Sequence, residues 1–233
     1  MKTTSQGERG DFMSNTIKNL KDPGSAITHF IAMLMATFAA LPLLIKAMDR
    51  GRYSALCCLI FIASMILLYG ASTIYHSFDK GERINKILKK LDHAMIFVLI
   101  AGSYTPICLL VIGGKTGITL LTIVWAVGIL GIIFKLCWVT CPKWLSSAMY
   151  IAMGWLCVLA FSPIVDSMTH EAFMWLLVGG LIYTVGGVLY AIKTPRVNAF
   201  NLRHKYFGTH EIFHLFVMAG SLCHFVLIYN YVV

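Results

Sequence analysis

Charge is scarce in this chain. Only 12% of its 233 residues are Asp, Glu, Lys or Arg, whereas a soluble domain carries roughly 25%. That shortage excludes an ordinary water-soluble globule and leaves no stretch for a separate soluble domain. Acidic residues are the rarer sign, ten against nineteen basic ones. The seven cysteines form no CxxC pair, which removes the usual zinc-ribbon and thiol-redox readings. Cys137 and Cys141 stand four apart; they read as small apolar membrane residues and not as a metal pair. Residues 1–24 lack an apolar stretch. They read as a short polar tail and not as a signal peptide. No internal repeat is visible.

What the chain does have is apolar length. Hydrophobic residues make up 58% of it, in runs long enough to cross a bilayer, which takes roughly 20 residues as a helix. The runs predict an all-α membrane protein with seven transmembrane helices, at about 25–46, 53–76, 92–112, 116–137, 144–165, 173–193 and 207–231. Residues 25–233 form one transmembrane domain behind the tail. Pro42, Pro106, Gly128, Gly131, Gly186 and Gly187 lie inside the spans, where kinks and close helix contacts are tolerated. Connections are short except 77–91 and 194–206.

The +9 net charge is informative by position. Lys and Arg gather on cytoplasmic loops. With the N-terminus inside, the cytoplasmic side holds Lys2, Arg9, Lys18 and Lys21; Lys80, Arg83, Lys86, Lys89 and Lys90; Lys135 and Lys143; and Lys193, Arg196, Arg203 and Lys205. Only Lys46, Arg50, Arg52 and Lys115 fall outside. The expected topology is therefore N-terminus cytoplasmic and C-terminus outside, with the Lys46–Arg52 cluster as the local objection. Basic loops on such a protein meet lipid headgroups or set topology, so nucleic acid is not an expected partner.

Against this apolar background one polar motif stands out: His210-Glu211-Ile212-Phe213-His214, the H-E-x-x-H pattern of zinc hydrolases. His210 and His214 share a helix face about 6 Å apart along the axis. The charge-based topology puts them in the first turns of span seven. It puts Ser72 and His76 at the end of span two, and Asp92 and His93 at the start of span three, all in the same leaflet. Three imidazoles at one depth can hold a metal and leave one position open, as catalytic zinc sites do. Asp92 is expected beside them, orienting water or a ligand ring, and Ser72 within reach of a substrate oxygen. Ionisable groups inside spans are functional by default.

Other polar residues carry less. Asp92 and His93 are adjacent and point about 100° apart, so His93 reads as a helix contact or an outer neighbour of the metal. His29 opens span one at a suitable depth for the same outer role. Glu211 reads either as the general base of a zincin or as a carboxylate that suits a helix N-terminus. His224 lies about 21 Å further along span seven than His210 and reads as a structural hydrogen-bonder. His170 and His204 are expected in loops. The stretch Gly102-Ser103-Tyr104-Thr105-Pro106 reads as a packing and kink element far from the metal.

Ser72-x-x-x-His76, Asp92 and His210-x-x-x-His214, with the stretches "LDHAMIFVLIAGSYTP" and "HEIFHLFVMAGSLCHF", resemble the hemolysin III family. That family is the bacterial branch of the progestin and adipoQ receptors, which include the adiponectin receptors. The resemblance covers residues 20–233. It implies Zn2+ on His76, His210 and His214, with Asp92 and Ser72 close by, and a cytoplasmic N-terminus. It implies a multi-pass protein of the bacterial inner membrane. Receptors of the family have glutamine where Glu211 stands, so their chemistry needs no glutamate there. The wider superfamily includes alkaline ceramidases, and adiponectin receptors have been linked to ceramide hydrolysis.

Residues and resemblance together predict a zinc-dependent hydrolase of a membrane lipid, a ceramide-like amide or ester, acting near the cytoplasmic leaflet. The lipid is the expected partner, as substrate or ligand. The competing expectation is a non-enzymatic receptor or sensor of membrane state whose zinc is structural. A pore-forming cytolysin fits less well, because no span carries a charged stripe. An intramembrane metalloprotease would need Glu211.

Overall fold

The computed structural model describes residues 20–192, 194–204 and 207–233. Seven helices are long and apolar enough to cross a membrane: Pro23–Asp49, Arg52–Ser77, Glu82–Ile112, Gly114–Cys137, Lys143–Ser167, His170–Ala191 and Thr209–Val232. We call them spans one to seven. No strand occurs among the described residues. Most of the expected tail, residues 1–19, lies outside the described residues, as do Lys193 and Lys205.

The spans follow the apolar runs, with one large difference. Span three begins at Glu82, ten residues before the expected 92. Residues 82–91 are charged but amphipathic. Long Lys and Arg side chains can lie along such a helix with their heads in water, so the helix runs on past the apolar stretch. Its start is stapled locally. Asp79 Oδ1 accepts from Asn85 Nδ2 at 2.7 Å, and Asn85 Oδ1 accepts from the Lys80 backbone N–H. Gly81, at φ +86°, makes the turn that other residues resist. Asp92 and His93 thus sit about three turns into the helix. The second long connection also holds structure, a short helix Pro195–Arg203. His170, expected in a loop, is the first residue of span six.

Spans two and three form the centre. Half of the most apolar window of each is buried, against 17% for span five. Close approach explains part of this. A Cβ on Gly102 would fall 2.2 Å from Ser64 Oγ on span two, so only glycine lets the two helices meet there. That bears out the packing role expected for residues 102–106. Their other role was not foreseen, since Ser103 and Tyr104 also line an internal cavity.

Span five is not one helix. It is α-helical to Gly154, tightens to a 3₁₀ segment over Trp155–Ala160, and resumes as α-helix over Phe161–Ser167. A break at membrane depth frees backbone groups that lipid cannot satisfy. Tyr104 answers this. Its hydroxyl donates to the Gly154 carbonyl at 2.6 Å and accepts from the Cys157 N–H at 2.9 Å. Trp155 Nε1 donates to Thr184 Oγ1 on span six at 3.0 Å.

Three basic residues near the span ends have specific duties. Lys46 donates to the Tyr229 carbonyl, and Arg50 donates to the Val232 carbonyl at 3.2 Å. Cations at the last carbonyls of a helix are favourable, so two members of the Lys46–Arg52 cluster cap span seven. Lys135 is fully buried in the last turn of span four. It donates to Ser146 Oγ at 2.5 Å and to Cys141 Sγ at 3.0 Å. All seven cysteines are free.

Candidate metal centre

His76 closes span two, and His210 and His214 occupy the first turns of span seven. One ligand atom from each of the three lies within 4.8 Å of the others. His76 Nε2 and His210 Nε2 are 3.2 Å apart. Two imidazole nitrogens on one tetrahedral zinc, each at ~2.0–2.1 Å, stand about 3.3 Å apart. The ring centroids form a triangle with sides of 4.9, 5.2 and 4.5 Å. The spacing and the all-imidazole donor set therefore fit a divalent metal of the zinc type.

The rings are held from behind. His76 Nδ1 lies 2.9 Å from Asp22 Oδ2, and the Asp22 backbone N–H donates to the His76 carbonyl at 2.9 Å. The hydrogen bond with His76 holds the Asp22 carboxyl below its ordinary range, so at neutral pH it is an acceptor that orients the ring. A carboxylate behind a histidine is a common support for a metal ligand. Lys21 stacks over Tyr75, 3.6 Å from the ring centroid, and pins the segment that carries Asp22. Thr28 Oγ1 is 3.5 Å from His214 Nδ1. His29 stacks on His214 with centroids 3.6 Å apart, and neither of its ring nitrogens has a hydrogen-bond partner among the described residues.

Glu211 has both oxygens engaged. One accepts from the Gly208 N–H at 2.8 Å, the other from Ser25 Oγ at 2.5 Å. It closes the N-terminus of span seven and ties it to span one. This geometry favours the helix-terminus reading over the general-base reading.

Ser72, Asp92, His93, His29, His210 and His214 all line one cavity. Ser72 and Asp92 are buried, at 1% and 7% exposure. Ser72 Oγ faces Asp92 but makes no hydrogen bond of ordinary geometry with it. His93 lines the wall beside Asp92 despite their angular separation, and its carbonyl accepts from Tyr150. The cavity holds about 230 Å³. From this polar end it runs along span seven past Val217 and along span six past Gly187, Thr184 and Leu177. Gly154, Trp155, Val158 and Phe161 line it and are also exposed on the outer surface. At the broken part of span five, the cavity wall is thus also the lipid-facing surface.

Sequence reasoning brought His76, His210, His214, Ser72 and Asp92 to one place, and the structure brings them there. It missed Asp22, Ser25 and Thr28. Hydropathy leaves Asp22 in the tail, although an acid directly before Pro23 is a helix-start signal. Ser25, Thr28 and His29 share the i, i+3, i+4 face that meets span seven, a polar stripe legible in an otherwise apolar run.

A family model described as haemolysin-III related matches residues 17–225. The chain is 38% identical to Hemolysin-3 of Bacillus cereus over 209 residues, 89% of this chain and 90% of that protein. It is 37% identical to the Hemolysin-3 homolog of Bacillus subtilis over 219 residues, 94% of this chain and 96% of that protein. An adiponectin receptor protein of Drosophila melanogaster is 26% identical over 181 residues, 71% of this chain and 40% of that protein.

Proposed function

The chain belongs to the haemolysin-III-related family of multi-pass membrane proteins, and from that premise we propose that it is a zinc-dependent hydrolase of a membrane lipid. The observation that carries this reading is the three-histidine group beside a cavity that combines a buried Asp92 and Ser72 with a long apolar wall. A structural metal needs no such cavity. His76, His210 and His214 would hold the ion, which supplies Lewis acidity and activation of water near neutral pH.

The chain's own residues do the rest. Asp92 takes a proton from the attacking water and returns it to the leaving nitrogen or oxygen. Ser72 Oγ, buried and without a hydrogen bond of ordinary geometry among the described residues, donates to the oxygen that gains charge at the substrate carbonyl. Asp22 keeps the His76 ring oriented. The apolar cavity takes an acyl chain, and its wall at span five lets a lipid arrive sideways. A ceramide-like amide or an acyl ester suits this arrangement better than a soluble substrate. The charge asymmetry supports a site in the cytoplasmic leaflet of the cell membrane, with the N-terminus inside.

The test has two parts. Elemental mass spectrometry of protein purified without chelators reads about one zinc per chain, lost in His214→Ala. Reconstituted protein given ceramides and acyl esters releases fatty acid, and Asp92→Ala does not while retaining its zinc. Zinc without turnover on any acyl lipid favours the sensor reading, in which the ion only ties span two to span seven. No zinc in either protein sinks both.

A further inference from the structure

His224 sits at the other end of the cavity, about 21 Å along span seven from His210. It lines the cavity and is 9% exposed. The expectation that it is a structural hydrogen-bonder does not hold at ordinary geometry, because neither ring nitrogen has a hydrogen-bond partner within those criteria among the described residues. The Leu176 carbonyl on span six faces the ring outside hydrogen-bonding geometry. An unpaired polar group at this depth is costly. The ring is nonetheless seated with care: it packs edge-on to Tyr183 at 5.3 Å, and a Cβ on Gly179 would fall 2.7 Å from its Nε2.

Every other polar side chain lining that end has a partner. Ser103 donates to the Leu99 carbonyl at 2.8 Å, and Tyr104 closes the break in span five. Tyr183 meets Ser221 Oγ at 2.8 Å, which also accepts from Tyr69. Trp155 and Thr184 satisfy each other, and Cys157 Sγ is within 3.7 Å of the Gly154 carbonyl. The stretch between the two ends is largely apolar, walled by Val217, Leu99 and Ile96.

The geometry points to a second recognition point: we propose that His224 binds a hydroxyl at the far end of the ligand's chain, so that the cavity selects long-chain lipids oxygenated near the terminus remote from the headgroup. A neutral imidazole offers one donor and one acceptor, and a hydroxyl can use either. The inference rests on the lipid reading above and names the lipid more closely.

The experiment measures binding, not turnover. Palmitic acid and its ω-hydroxy derivative displace a fluorescent fatty acid from protein in nanodiscs. Wild type is expected to bind the ω-hydroxy acid about five- to tenfold more tightly, the worth of one hydrogen bond to an otherwise unpaired buried group. The same hydroxyl at mid-chain, opposite Val217 and Leu99, gives no gain. His224→Phe is expected to bind the two acids with equal affinity, and His224→Gln to keep part of the preference. An equal affinity of wild type for the ω-hydroxy and plain acids overturns the inference and leaves the lipid reading intact. So does a preference that survives in His224→Phe. Failure of wild type to bind either acid overturns the lipid reading and this inference with it.

Discussion

Span seven carries buried imidazoles at two stations, and the protein treats them differently. At the first, His214 meets Thr28, and the facing His76 is gripped by Asp22 through two contacts. Glu211 fastens the helix start to span one. At the second, His224 has packing but, among the described residues, no hydrogen bond of ordinary geometry. Supports behind a ring suit a task that needs a fixed geometry, such as holding an ion. A ring packed yet unpaired suits a task in which the partner arrives later.

The largest expected break in this comparison is His76→Ala. Two imidazoles cannot hold a catalytic zinc as three do, so zinc should fall from about one per chain to background by elemental analysis. The ω-hydroxy preference, the ratio of the two acids' affinities, should stay as in wild type while both acids bind more weakly, because His224 is about 21 Å away. Loss of zinc and preference together would mean that the stations are one cooperative unit. Asp22→Asn comes next. The amide oxygen can still accept from His76 Nδ1, but without the charge. Zinc affinity, read by competition with a chelating dye, should drop about tenfold, the low end for an outer-neighbour mutation. An unchanged affinity would reduce the Asp22 contact to a helix-start tether.

Legibility in the sequence followed the same division. Span number and order were readable because apolar length is a direct consequence of bilayer thickness. The histidines, Ser72 and Asp92 were readable because polarity inside spans is costly, so each polar residue marks something. The start of span three was not. A membrane pattern ends where hydropathy ends, whereas the helix continues while its backbone bonds and amphipathic face allow. The break in span five was also hidden, since Gly154 and Trp155 look like ordinary span residues and the Tyr104 hydroxyl that compensates comes from about fifty residues earlier. His224 was misread for a related reason. A histidine in a span announces a partner, but not whether that partner belongs to the protein.

Gly179→Ala should act on the second station alone. The new Cβ would fall 2.6 Å from His224 Cδ2, and overpacking of this kind costs about 1–3 kcal/mol. We expect a lower melting temperature in detergent, full zinc content and loss of the ω-hydroxy preference. A full preference at wild-type strength would show that the ring can move and still bind, which would weaken the case for a built station.

The smallest expected effect is the one most at odds with the HEIFH pattern. In a zincin, Glu211 is the base, and Glu211→Gln would abolish turnover. Here both oxygens of Glu211 already serve as acceptors, from the Gly208 N–H and from Ser25. A glutamine has one acceptor oxygen and an NH₂ that only donates. It can keep the Gly208 contact and turn its amide toward Ser25, whose hydroxyl accepts as well as donates. What disappears is a charge at a helix N-terminus, worth typically about 0.3–1 kcal/mol. Zinc content should be unchanged, and fatty-acid release should fall less than about fivefold. A loss of more than about a hundredfold with zinc retained would move the proton-transfer role from Asp92 to Glu211. The first station would then be a zincin centre after all, with Ser25 holding its base in place.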